Sequence, residues 1–314
     1  MAYGSVIVSS PSPQTAAVPW LGYGFAALGA LLFAAKGIII KLSFAEGVDT
    51  LTLLALRMGL SVPIYVTIGL YAHARDRREA APVPMSAYLK ALGIGMIGYW
   101  FSAYADFKGL ETLTPQFERL ILFTYPVFVV LLGAALFRQP LRWKSLAAFG
   151  VAYIGLAVIF LADFETGGSD IVTGTAWVLG AAFTFALYQL LARGGIAAMG
   201  VPLFTSVAMT GAGLVVFVQF LLTHPLSSLM ISQRAFALAV TLAIGATVLP
   251  SFFMSAALSR ISAQANSTIG TLSPVVTLFL AVLILGEPVR AVDLLGTALV
   301  IGGVGLFTLV ERRR

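Results

Sequence analysis

Apolar runs of about 20 residues, separated by short clusters of Gly, Pro and charged residues, recur from one end of the chain to the other. They predict helical spans near residues 18–40, 50–72, 88–108, 115–137 and 143–162, then near 171–193, 202–223, 235–257, 262–285 and 291–310. Each run is long enough to cross a bilayer core of about 30 Å as a helix, the form in which a segment satisfies its own backbone polar groups. The connections leave little room for a soluble domain. The pattern predicts an all-α integral membrane protein with ten transmembrane helices.

Composition agrees: 59% of the 314 residues are hydrophobic and only 10% charged, against about 25% charged in soluble domains. Mean hydropathy is +0.97. The absence of Cys excludes disulfides and thiolate metal sites, and the two histidines, His73 and His224, fall in predicted loops, so neither a metal nor a cofactor is expected. The net charge of +6 is spread through short loops rather than gathered in one patch, which argues against a nucleic-acid partner. With the N-terminus cytoplasmic, inside segments hold twelve Lys and Arg, against Lys41, Lys108, Arg234 and Arg290 outside. This positive-inside bias places both termini in the cytoplasm. Residues 1–17 lack the basic start of a cleaved signal peptide and are read as a flexible tail.

The chain repeats itself. ILFTYPVFVVLLGAALFRQPLR overlies IGTLSPVVTLFLAVLILGEPVR at an offset of 148, pairing Pro126 with Pro274, Pro140 with Pro288 and Arg142 with Arg290. Upstream, an offset of 152 matches FAAKGIIIK with FALYQLLAR. Residues 18–162 and 163–314 therefore read as two five-helix copies. Because five is odd, the second copy enters the membrane from the opposite side, and such inverted repeats accompany alternating access.

The repeated span with its proline, Leu/Gly-rich stretch and LGEP turn at 285–288 resembles the EamA-type branch of the drug/metabolite transporter superfamily. The resemblance covers nearly the whole chain and implies a ten-helix carrier of the bacterial inner membrane, often an exporter. The first copy departs from it, reading FRQP at 137–140 with Gln139 where the second has Glu287. The aromatic-rich third span makes the chain most similar to the amino-acid exporters of that family.

Polar residues at helical spacing mark faces turned away from lipid. Asn266, Gly270, Ser273 and Thr277 share one face, and the offset of 148 carries it onto Glu118, Leu122, Tyr125 and Val129. The third span offers Tyr99, Ser102 and Asp106, with Tyr104 in the same aromatic cluster; the sixth offers Trp177, Thr184 and Tyr188. The rings could stack on a substrate or attract an ammonium group, although Trp100 and Phe101 fit a membrane-interface belt or core packing equally.

Five ionisable residues fall within spans: Lys36, Arg57, Asp106, Glu118 and Arg119. Thr114 and Pro115 read as a helix start whose dipole Glu118 complements. Arg119 lies about 100° around the helix and is expected to reach the outer headgroups. Arg57 is the deepest, either in a structural pair with Asp106 or Glu118 or in a substrate site. As a site, these residues would offer a zwitterionic amino acid Arg57 or Lys36 for its carboxylate and Glu118, Asp106 or tyrosine faces for its ammonium. Protons are candidate coupling ions. Pro63, Pro126, Pro250 and Pro274 are candidate hinges.

The expected function is therefore secondary transport of small metabolites, amino acids first, by a single chain. Drug cations would call for an anionic site free of Lys36 and Arg57, and nucleotide sugars for more basic residues. With no HExxH, GxSxG or P-loop, neither an intramembrane hydrolase nor ATP-driven transport is indicated. A channel would need a ring or filter.

Overall fold

The computed structural model describes residues 19–79, 83–137, 143–270 and 272–312. The expected tail at 1–17 and the first-copy turn at 138–142 lie outside them. Among the described residues there is no strand. The chain opens with α1 (Pro19–Ala34) and α2 (Lys36–Ala45), divided at Ala35, followed by α3 (Thr50–Glu79). A third helical stretch comprises α4 (Met85–Gly95), a π-helical turn at Met96–Phe101 and α5 (Ser102–Thr112). Next come α6 (Pro115–Leu122) and α7 (Tyr125–Phe137).

Trp143–Thr223 is helical except at Gly168 and Gly200, whose φ angles of 54° and 74° turn the chain. Only glycine enters that region without a Cβ penalty. The stretch thus divides into α8 (143–167), α9 (169–199) and α10 (201–223). After a short 3₁₀ turn follow α11 (Gln233–Ala243), a π-helical turn at Ile244–Val248 and α12 (Leu249–Leu258). The chain ends with α13 (Ala263–Gly270), α14 (Leu272–Leu280) with a π-helical turn at Ala281–Leu285, and α15 (Ala291–Arg312).

Among the described residues, six helical segments are long and apolar enough to cross a membrane. One of them, Gly167–Thr223, has 57 residues, or roughly 85 Å of helix, and Gly200 folds it back. Side chains such as Leu70, Ile154, Leu222 and Phe279 are exposed on outer faces, where a soluble protein would leave them in water. One expectation fails here: His73 sits in α3 rather than a loop, sharing a hydrogen bond with Tyr88 at 2.6 Å. The sequence AHARDRRE after residue 71 contains no helix breaker, so the helix continues past its apolar part.

Small residues set the packing, as they do where helices meet without a hydrophobic driving force. A Cβ on Gly155 of α8 would lie 2.6 Å from the Gly296 carbonyl of α15, and one on Gly303 would lie 2.8 Å from the Ala148 carbonyl of α8. These contacts are related: adding 148 to 155 gives 303, and subtracting it from 296 gives 148. Other features recur at the same offset. The π-helical turn beginning at Met96 has its counterpart at Ile244. Thr114 Oγ1 accepts from the Phe117 N–H at 3.2 Å, and Ser262 Oγ accepts from the Ala265 N–H at 3.0 Å.

Charged residues tie the loops at the ends. Arg290 Nη2 donates to Asp163 Oδ1 and Asp293 Oδ1, each at 2.6 Å, while Arg234 meets Glu46 at 3.2 Å. Asp49 caps α3, accepting from the N–H groups of Leu51 at 2.9 Å and Thr52 at 3.0 Å. Partial burial pushes its carboxyl up, but the hydrogen bonds from Thr52 and Leu51 and the nearby His224 outweigh burial, so its pKa lies below the ordinary value. The stabilisation is therefore complete above the unfolded carboxylate pKa of about 3.9 and is lost as pH falls through the lower folded value. Asp49→Ala should lower stability by about 1 kcal/mol at neutral pH. Thermal unfolding in detergent should show that deficit shrinking in acid.

Candidate functional site

The site is built from interruptions in helices. α1 stops at Ala34 and α2 starts at Lys36 with no proline nearby. The freed carbonyls have partners elsewhere: Arg119 Nη2 donates to the Phe33 oxygen at 2.5 Å and Thr277 Oγ1 to the Ala34 oxygen at 2.9 Å. Irregular backbone at membrane depth persists where protein donors satisfy it. α6 likewise ends at Leu122, three residues before Tyr125 begins α7 with Pro126 next to it, and Pro274 lies within α14. Pro250 follows the π-helical turn at Ile244–Val248, whereas Pro63 lies inside the continuous α3.

Between these interruptions lies a cavity of about 90 Å³. Of the thirteen expected site residues, eight line it: Lys36, Arg57, Tyr99, Ser102, Asp106, Tyr125, Asn266 and Ser273. The other five, Tyr104, Glu118, Trp177, Thr184 and Tyr188, do not line it. Tyr188 packs edge-on against Tyr99 with centroids 5.6 Å apart, Trp177 packs against Tyr104 at 5.9 Å, and Thr184 donates to the Gly180 carbonyl at 3.0 Å. Glu118 is fully buried, with Oε2 close to the position of a Cβ on Gly37.

The charges form a connected group. Lys36 Nζ donates to Asp106 Oδ2 at 2.6 Å, and both side chains are buried. Glu118 lies against Asp106, Arg119 and Lys36. Arg119 corrects the sequence reading: it is 3% exposed and does not reach headgroups. Its Nε is 4.0 Å from Glu118 Oε2, and the Phe33 carbonyl draws its other end inward. Adjacent residues diverge at the helix axis, but a long side chain curls back when protein surrounds both faces. Arg57 makes no ion pair with either acid; its guanidinium sits over the Phe107 ring, 5.1 Å from the centroid, and its Nε and Nη2 have no hydrogen-bond partner.

The opposite side of the cavity carries neutral polar groups, where Asn266 Nδ2 donates to Gln189 Oε1 at 3.2 Å and Ser273 Oγ lacks a partner. Phe33, Phe123, Phe185, Met254 and Gln189 also line the space. Reading polar faces alone passes over the apolar four. Gln189 did leave a signal, as the lone amide in an apolar span.

The chain matches the EamA-like transporter family over residues 20–161 and again over 172–309. It belongs to the EamA-like transporter family. It is a membrane transporter, not an enzyme. Among similar proteins, the uncharacterized transporter YcbK of Bacillus subtilis is 27% identical over 87% of this chain and 88% of its own length. A probable terminal-alkyne amino-acid exporter of Streptantibioticus cattleyicolor is 33% identical over 62% of this chain and 65% of its own. A probable amino-acid metabolite efflux pump of Salmonella typhimurium is 28% identical over 59% and 64%. A solved crystal structure shares the fold of this EamA-like chain, with TM-score 0.67 at 18% identity over 93% of this chain and 98% of that one.

Proposed function

We propose that this EamA-like transporter exports amino acids or closely related metabolites across the bacterial inner membrane by alternating access. On this reading ten spans form two inverted five-helix repeats with both termini in the cytoplasm. The carrying observation is that both halves contribute to one cavity, and that π-helical turns break the regular helix at equivalent places in the two, Met96–Phe101 and Ile244–Val248. A carrier must open one side while closing the other, and the interruptions at Ala35 and after Leu122 are where such bending costs least.

Several observations support the repeat. The family matches twice, the helix caps and π-helical turns recur at the offset of 148, and the α8–α15 contacts exchange under it. Arg234 and Arg290, both read as lying outside, pair with Glu46 and Asp163. Support for the substrate comes from a cavity combining both signs of charge with aromatic walls, and from bacterial relatives described as an amino-acid exporter and an amino-acid metabolite efflux pump.

Purified protein in liposomes should move labelled neutral and aromatic amino acids saturably, and should move neither cationic dyes nor nucleotide sugars. Repeating the assay with an imposed pH gradient reads the coupling, for which Asp106 and Glu118 are the buried acids of the site. Flux of a dye with no flux of any amino acid would overturn the substrate.

A further inference from the structure

The five charged residues of the site are not equally engaged. Lys36 is held by Asp106 at 2.6 Å, and Arg119 is held between the Phe33 carbonyl and Glu118. Arg57 alone among them faces no carboxylate at ion-pair distance. Phe107 covers the face of its guanidinium, and a face so stacked leaves in-plane donors for hydrogen bonding. Two of these donors, Nε and Nη2, lie on the same edge of the group and have no partner. That edge is the fork that grips both oxygens of a carboxylate at once.

We propose that Arg57 is the receptor for the substrate's carboxylate, and that a free carboxylate, rather than an ammonium group, is what the cavity demands of its ligand. This deepens the carrier reading and rests on it only in taking the ligand to be the transported species.

Charge balance points the same way. Lys36, Arg57 and Arg119 face Asp106 and Glu118, three cations to two acids, so one positive charge remains without a counterion even with both acids ionised. An uncompensated charge in a bilayer-spanning bundle costs several kcal/mol, and a bound carboxylate offsets it. A ligand ammonium meets less. Of the residues lining the cavity, Asp106 offers Oδ1 alone, its other oxygen being committed to Lys36; Glu118, whose two oxygens also lack hydrogen-bond partners, does not line it and faces Arg119. Phe33, Phe123, Phe185 and Met254 form apolar walls for the rest of the molecule. Nε and Nη2 are shielded from solvent, so the carboxylate reaches them as the cavity widens.

Calorimetric titration of the purified full chain tests this with ligands that share a side chain and differ in head group. One set is phenylalanine, 3-phenylpropionate and phenethylamine; the other is leucine, 4-methylvalerate and isoamylamine. The acid of each set should bind within about tenfold of the amino acid, while the amine should bind about a hundredfold more weakly, the scale of a lost charged hydrogen-bonded pair. Arg57→Lys keeps the charge but loses the fork, and should weaken the acids about tenfold while leaving the amines unchanged. Amines binding as tightly as acids, or no ligand of either set binding, overturns the proposal. The ranking on the parent protein decides the demand for a carboxylate even if no Arg57 variant folds. Correct ranking without flux in liposomes would sink the carrier reading alone, and equal flux of amines and acids would sink the Arg57 assignment alone.

Discussion

Gly95→Ala should leave little folded protein, although it adds a single methyl group. Gly95 ends α4 immediately before the π-helical turn at Met96–Phe101, and a Cβ there would fall onto the carbonyl of Ala208 in α10. What it meets is backbone, with the carbonyl carbon at 2.5 Å and Cα at 2.8 Å, so no side chain can rotate aside. Ordinary overpacking costs about 1–3 kcal/mol where neighbours adjust. Here two helices must part along their contact, so the loss should exceed that range. The readouts are the monodisperse fraction after detergent extraction and the thermal midpoint of whatever survives. Gly93→Ala is the control: it is two residues away on the same helix and its Cβ would meet nothing within 4 Å. If Gly95→Ala matches Gly93→Ala in yield and midpoint, the close approach of α4 and α10 is not required.

The same region shows what could be read from residue types and what could not. The offset of 148 was visible because it copies prolines, turn residues and capping residues, each of which acts locally on its own backbone. Thr114 and Ser262 duly make the same hydrogen bond in both places. The π-helical turns at Met96 and Ile244 obey the offset too, yet nothing in MIGYWF or IGATV announces them. The first follows Gly95, where α4 lies against the backbone of Ala208, a contact that no local motif encodes. The interruption at Ala35 belongs with them, since Arg119 and Thr277 make it tolerable from 84 and 242 positions away by supplying donors to Phe33 and Ala34.

Site residues divide along similar lines. That Tyr99, Asp106, Asn266 and Ser273 line the cavity is legible in the sequence, because polar groups at helical spacing in an apolar span turn away from lipid. Arg119 was misplaced because only the angle around its helix was weighed, not the carbonyl waiting at the end of α1. Phe123 and Phe185 were missed because an aromatic wall and an aromatic core contact have the same signature in one dimension.

Breaking the Lys36–Asp106 pair on one side should destabilise the protein by about 3–5 kcal/mol, the cost of leaving a buried charge without its partner. The partners are 2.6 Å apart with side chains 10% and 2% exposed, so little bulk solvent reaches the group left behind. Lys36→Met strands Asp106 beside Glu118, and Asp106→Leu strands Lys36. Removing both together is different. Apolar replacement of a buried ion pair is often neutral for stability, so Lys36→Met combined with Asp106→Leu should unfold within about 1 kcal/mol of the parent in detergent. Its transport should still fall by about tenfold or more, equivalent to about 1.4 kcal/mol. The reason lies in position: Lys36 is the first residue after the interruption at Ala35, and Asp106 meets it from α5 at the cavity wall. A pair that stabilises no more than methionine and leucine would has no structural reason to sit inside a membrane bundle. An ion pair can separate and re-form as α1 and α2 bend, whereas two packed apolar side chains favour a single arrangement. A double variant that transports at the parent's rate would make the pair a dispensable strut. One as unstable as either single variant would show that the two charges are not each other's principal partners.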